Sequence, residues 1–208
     1  MSSIAVVAAT GRTGRIIVEQ ALAAGHHVTA IARRPDLLGV RHDRLTVRAG
    51  DVLSPGSLKG ALAGHDAVVS ALGSTGRGPT TVYSDGTAAI VAAMEDTRRL
   101  IVLSSAGVAV PTDAGPGTRL FAAVLRRVMR HPYADMLRME RLLAATDLEW
   151  TSVRPTGLTD RPSTGGPRAR IGGTHAVGTR TSREDLAAYI LSRLDDPVTY
   201  RTAVAVSS

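Results

Sequence analysis

Thr10, Gly11, Arg12, Thr13 and Gly14 are the first residues of this chain whose types and spacing suggest chemistry. They follow the apolar run Ile4–Ala9 and lead straight into a stretch with helical spacing. Glycines at 11 and 14 let the backbone approach a pyrophosphate. A helix start there offers unpaired N–H groups and the positive end of the helix dipole. Strand, turn and helix in that order are the context such a glycine pair requires. Arg12 adds a fixed charge. Without a ligand, the same residues would make a tight turn.

A second apolar run ends in Arg33–Arg34. An acidic residue at this place would bind a ribose 2′-hydroxyl and repel a 2′-phosphate. Arginines instead form charge-assisted, often bidentate bonds to phosphate. The pair therefore predicts NADP(H) rather than NAD(H), the alternative being arginines turned to solvent. Asp36 lies past Pro35 and beyond the strand end. In Gly50–Asp51–Val52 the carboxylate can accept from an adenine amino group or serve as a helix-entry carboxylate, and both readings stay open. Leu72–Gly73–Ser74 supplies small residues where an adenosine ribose and pyrophosphate would lie.

Candidates for the reacting end are Ser104, Ser105 and Tyr133. A serine hydroxyl at a strand end can hydrogen-bond a nicotinamide amide or a substrate oxygen, or equally cap a turn. Tyr83 and Tyr133 can line an acceptor pocket or simply pack. A Tyr-x-x-x-Lys proton-donating pair is absent. Leu137 stands four residues after Tyr133, and the only lysine is Lys59. Arg138 does not titrate in the useful range. An electron-poor acceptor such as a flavin or quinone needs no strong enzyme acid, because water can supply the proton. The protein then contributes orientation and a dry pocket.

Composition narrows the field. The absence of cysteine removes disulfides, thiolate metal sites and thiol catalysis. The six histidines show no metal-binding spacing. The charge of +7 suits anionic ligands, nucleic acid or a membrane surface. The arginines are dispersed, however, and the densest group (Arg126, Arg127, Arg130) has no interleaved aromatics. It reads as a solvated helix face, and no nucleic-acid partner is expected. No apolar run reaches the length of a membrane span, and Ile4–Ala9 is too short for a signal peptide. The expectation is a cytoplasmic protein, monomer or homodimer, with a small-molecule acceptor and no membrane partner.

These residues must be held by alternating strands and helices. Strands are expected at Ile4–Ala9, His27–Ala32, Leu45–Ala49, Asp66–Leu72, Leu100–Leu103, Trp150–Val153 and Thr202–Val206. Helices are expected at 12–24, from Ser54–Pro55 to Gly64, Thr80–Met94, Gly117–Arg130, Tyr133–Ala145 and Ser182–Leu194. His131–Pro132 separates two of them, and 155–167 is a loop flap on the substrate side. Strands joined by helices imply right-handed crossovers. The predicted fold class is α/β: a Rossmann-type doubly wound parallel sheet in one domain, 1–208, with substrate-side elements at about 105–135 and 155–181. Ligands of such sheets bind beyond the carboxyl ends of the strands.

Together, the 8–14 loop, the arginine after strand two, Gly50–Asp51–Val52, His65–Val69, Leu72–Gly73, Pro79–Val82, Glu140–Leu143 and Trp150–Asp160 carry a family resemblance. Over nearly its whole length the chain resembles the atypical short-chain dehydrogenases, within the NAD(P)H-binding, NmrA-like set. The nearest likeness is to the biliverdin reductase B and flavin reductase group. The resemblance implies NADPH-dependent hydride transfer to a flavin, quinone or related carbonyl acceptor, with the backbone of Pro155, Thr156 and Gly157 holding the carboxamide. Members that only sense the cofactor, and a non-redox isomerase or cyclase on the same scaffold, are the alternatives. Two departures stand out. The family's first loop glycine is Ala8 here, and the flavin reductases' substrate-side histidines fall at Met136 and Gly157.

Overall fold

The computed structural model describes residues 1–109, 115–172 and 177–208. Residues 110–114 and 173–176, inside the two expected substrate-side segments, lie outside that set. The strands are β1 Ser3–Val7, β2 His27–Ala32, β3 Leu45–Ala49, β4 Ala67–Ser70, β5 Arg99–Leu103, β6 Glu149–Pro155, β7 Gly157–Thr159, β8 Arg168–Ile171, β9 Arg180–Ser182 and β10 Thr202–Ser207. The α-helices are α1 Arg12–Ala23, α2 Ser84–Ala93, α3 Pro116–Val128, α4 Arg130–Ala144 and α5 Arg183–Leu191.

Near-continuous apolar strands demand cover on both faces. Successive side chains in β1 alternate sides, so Ile4 and Val6 face one layer and Ala5 and Val7 the other. The first layer packs Ile17, Val18 and Leu22 of α1 against Leu186 and Ile190 of α5. The second packs Ile90 of α2 and Met139 and Leu143 of α4. The eight-stranded sheet runs β3-β2-β1-β4-β5-β6-β10-β8. β1 lies between β2 and β4, and the strand order reverses there. The crevice beyond the carboxyl ends of β1 and β4 is thus the expected ligand position of a Rossmann-type fold.

Several local expectations need correction. Residues 51–64 form successive turns rather than a helix. Gly56 and Gly60 sit at φ +73° and +63°, which a helix cannot absorb, and Ser54 caps nothing there. The helix expected from Thr80 begins at Ser84, and its N-terminus is capped by a residue from elsewhere in the chain. Buried Asp135 accepts from Tyr83 N at 2.9 Å and from Ser84 Oγ at 2.5 Å. The break between α3 and α4 falls at Met129, while His131 and Pro132 lie in the first turn of α4, where proline's missing N–H costs nothing. The 155–167 flap contains β7, which pairs with β9. The sheet is not wholly parallel: β8, at the edge, runs antiparallel to β10.

Candidate cofactor and acceptor site

A cleft of about 1080 Å³ opens over the carboxyl ends of the strands. It stands at the upper limit of the roughly 300–1,000 Å³ usual for ligand clefts, which leaves room for a large cofactor and a second molecule. The glycine loop forms its floor. No side chain caps the α1 N-terminus, and no acidic residue occupies its first turn. The first N–H groups of the helix have no side-chain partner among the described residues, and such a terminus suits an anion. A Cβ at Gly14 would collide with the Ala8 carbonyl, so glycine keeps strand, turn and helix in close contact. A Cβ at Gly11 would stand 3.2 Å from the same oxygen.

Ala8 accepts the conformation a glycine would take. Its φ is +61°, and its carbonyl receives the Gly11 N–H at 3.0 Å. The loop is therefore formed, not shifted or blocked, at a backbone cost of about 1–2 kcal/mol. Arg12 crosses the cleft to Asp160, beyond β7, and Arg183 reaches the same carboxylate at 2.7 Å. Arg183 lines the cleft, its guanidinium held below its ordinary pKa by burial and by the charge of Arg12. Sequence reasoning missed Asp160 and Arg183 because nothing in the local spacing shows that the flap returns to the loop.

Arg33 and Arg34 lie exposed on the cleft wall, and neither makes an ion pair or side-chain hydrogen bond among the described residues. Asp51 also lines the cleft, and its Oδ1 receives the Leu53 N–H at 3.0 Å. Part of this carboxylate therefore caps a turn, not a helix. Val52, Leu72 and Gly73 continue the wall, and the Tyr83 hydroxyl receives Ser74 N–H at 3.1 Å.

At the far end, Ser104 follows β5. The residue lines the cleft, while its Oγ is buried and has no hydrogen-bond partner among the described residues. Burial pushes the Glu140 carboxyl's pKa up, but Arg154, Ser152 and Ser104 outweigh it and hold it below the ordinary carboxylate value. Arg154 clasps Glu140 at 2.6 Å, and Ser152 donates to it at 2.7 Å. Ser105 behaves differently, because its Oγ accepts the Gly107 N–H and caps a 3-10 turn at 106–108. Tyr133 is buried against that turn: a Cβ on Gly107 would run into its ring. Its hydroxyl has no hydrogen-bond partner among the described residues and borders the cleft. Pro155, Thr156 and Gly157 pass along the same wall, with Thr156 N–H bonded to Val206 O and Thr181 Oγ1. Met136 and Gly157 also line it, one apolar and one without a side chain.

The cleft brings together the sequence-derived glycine loop, the arginine pair and the serine–tyrosine group. The comparisons with known proteins agree with this architecture. A profile of the NAD(P)H-binding family matches residues 8–197, and the chain belongs to that family. It is similar to isoflavone reductase homolog P3 of Arabidopsis thaliana, 25% identical over 95% of this chain, and spans 66% of that relative's length. Among solved structures, a short-chain dehydrogenase/reductase from Veillonella parvula in complex with NADP superposes with a TM-score of 0.81. That pair shares 22% identity over 100% of this chain and 95% of the other. The oxidoreductase ylbE from Lactococcus lactis gives a TM-score of 0.81 at 21% identity, over 99% of this chain and 90% of that one. At these identities the structural likeness shows the fold.

Proposed function

We propose that the protein is an NADPH-dependent reductase of a planar acceptor, of the flavin, quinone or related carbonyl class, akin to the biliverdin reductase B and flavin reductase group. The observation that carries this reading is the pair of unpartnered arginines, Arg33 and Arg34, across the cleft from an uncapped glycine-loop helix. Two separate anion sites, one for a pyrophosphate and one for a 2′-phosphate, match a phosphorylated dinucleotide. Bound NADPH would supply the hydride.

The remaining work falls to the chain. Gly11–Gly14 and the α1 N-terminus orient the phosphates, and Arg33 and Arg34 select the 2′-phosphate. Ser104 Oγ, with no well-made hydrogen bond of its own, donates to the carboxamide or to the acceptor oxygen. Glu140 and Arg154 hold the strand ends around it through Ser152. Tyr133 and Met136 give the acceptor an apolar wall that excludes water. Nothing in this set is a strong acid, and an electron-poor acceptor does not require one.

The test is NADPH consumption, followed at the nicotinamide absorbance, against a panel of flavins and quinones. Turnover is expected with at least one, and Ser104→Ala should lower kcat/KM about 2- to 10-fold, the worth of one neutral hydrogen bond. Tight NADPH binding with no turnover across the panel would contradict the reductase reading and favour cofactor sensing. A product formed without NADPH consumption would favour an isomerase.

A further inference from the structure

The arginine-rich helix α3 has an outer face that meets the cleft only at Phe121. Leu120, Phe121, Val124 and Val128 are 69%, 68%, 58% and 45% exposed. Leu120, Val124 and Val128 recur every four residues, and Phe121 stands beside them, so they form one stripe. Phe121 is the only phenylalanine of a chain with 3% aromatics. Arg127 borders the stripe, while Arg119 and Arg126 lie further round, on the polar side of the helix. None of these three makes an ion pair or hydrogen bond among the described residues. From Gly115 to Ala134 there is no Asp or Glu. The opposite edge of the stripe meets the cleft, which Phe121, Ala122, Leu125 and Met129 line.

We propose that this face of α3 docks on an anionic lipid surface, with the apolar stripe in the headgroup–acyl boundary, Arg127 on a lipid phosphate, and Arg119 and Arg126 on the polar side of the docked helix. No helix among the described residues is long and apolar enough to cross a membrane. A helix that lies in the interface carries an apolar face and a polar side rich in Lys or Arg. Arg127 suits the edge between them, because its stem packs on the apolar layer while the guanidinium reaches the phosphates. A second copy of the chain fits less well. Pairing through the stripe would hold Arg127 at the seam, and the helix carries no carboxylate to meet it. Docked this way, the cleft mouth opens at the lipid, where a lipophilic quinone-type acceptor would enter. That last step rests on the reductase reading, whereas the docking does not.

Sedimentation of the full chain with vesicles tests the docking without any turnover. Vesicles of phosphatidylcholine mixed with phosphatidylglycerol should pull the protein down, and pure phosphatidylcholine should not. Added salt should weaken the binding. Arg127→Gln should bind the mixed vesicles about fivefold more weakly, one basic residue's share of headgroup attraction. Leu120→Ser/Val124→Ser changes only exposed positions, so the fold should persist by circular dichroism while vesicle binding is lost. Equal binding to both vesicle types, no binding to either, or binding unchanged in both variants would overturn the proposal. So would a dimer in equilibrium sedimentation that Leu120→Ser/Val124→Ser converts to monomer, since a second copy would then own this face.

Discussion

Ala8 holds a φ of +61° at the start of the glycine loop, in the left-handed region that favours glycine. Ala8→Gly should stabilise the protein by about 0.5–1 kcal/mol, the left-handed penalty less glycine's extra freedom in the unfolded chain. Urea denaturation at equal m-value measures this. Gly14→Ala should act in the opposite direction, because its methyl would meet the Ala8 carbonyl. Cofactor binding should fall well over tenfold, read by quenching of protein fluorescence from the single Trp150 or by calorimetry. The residues of the loop were legible in the sequence because glycine spacing and helix start are local properties. The partner of Arg12 was not, since Asp160 arrives from a distant segment.

Among the elements, the β7 flap is tied down by α5. Fully buried Asp185 accepts from Ser163 Oγ at 2.5 Å, Thr164 Oγ1 at 2.9 Å and Ser208 Oγ at 2.5 Å. Burial alone would raise this carboxyl's pKa, but the bonds from Ser163, Ser208 and Thr164 outweigh it and hold the pKa at about 2. A carboxylate whose folded pKa is depressed stabilises the fold above its unfolded value and loses that contribution as pH falls through the folded one. The contribution of about 2 kcal/mol should be complete above about pH 5 and fade towards pH 2. Asp185→Asn should remove it, and the difference in stability between variant and wild type should shrink over that same acid range. A difference that stays constant with pH would show that the carboxylate's charge is not what matters. Asp160, by contrast, sets a negative charge opposite the phosphate loop. Asp160→Asn should free Arg12 and tighten dinucleotide binding severalfold, more so at low salt.

Helices and strands with a long apolar period were legible: α1, β2 and β3 match their expected positions closely. The failures have physical causes. Residues 54–64 show helix-start chemistry, yet Gly56 and Gly60 take positive φ and turn the chain repeatedly. β7 and β9 have three residues each, too few for any periodicity to show. β8 is mostly exposed at the sheet edge, so it lacks the apolar run that marks its neighbours.

At the scale of the molecule, the switch in strand order at β1 and β4 puts the glycine loop, the arginine pair and Ser104 on one crevice. Position along the chain says little about this arrangement, but the right-handed crossover rule implies it. The central claim is that the crevice selects a 2′-phosphorylated dinucleotide. Calorimetric titration of wild type and Arg33→Ser/Arg34→Ser with NADPH and NADH tests it most directly. Charge-assisted bonds of about 1.5–3 kcal/mol predict that the double variant loses roughly 10- to 100-fold in NADPH affinity and little in NADH affinity. NADH binding as tightly as NADPH to the wild type, or an NADPH preference that survives in the double variant, would contradict it.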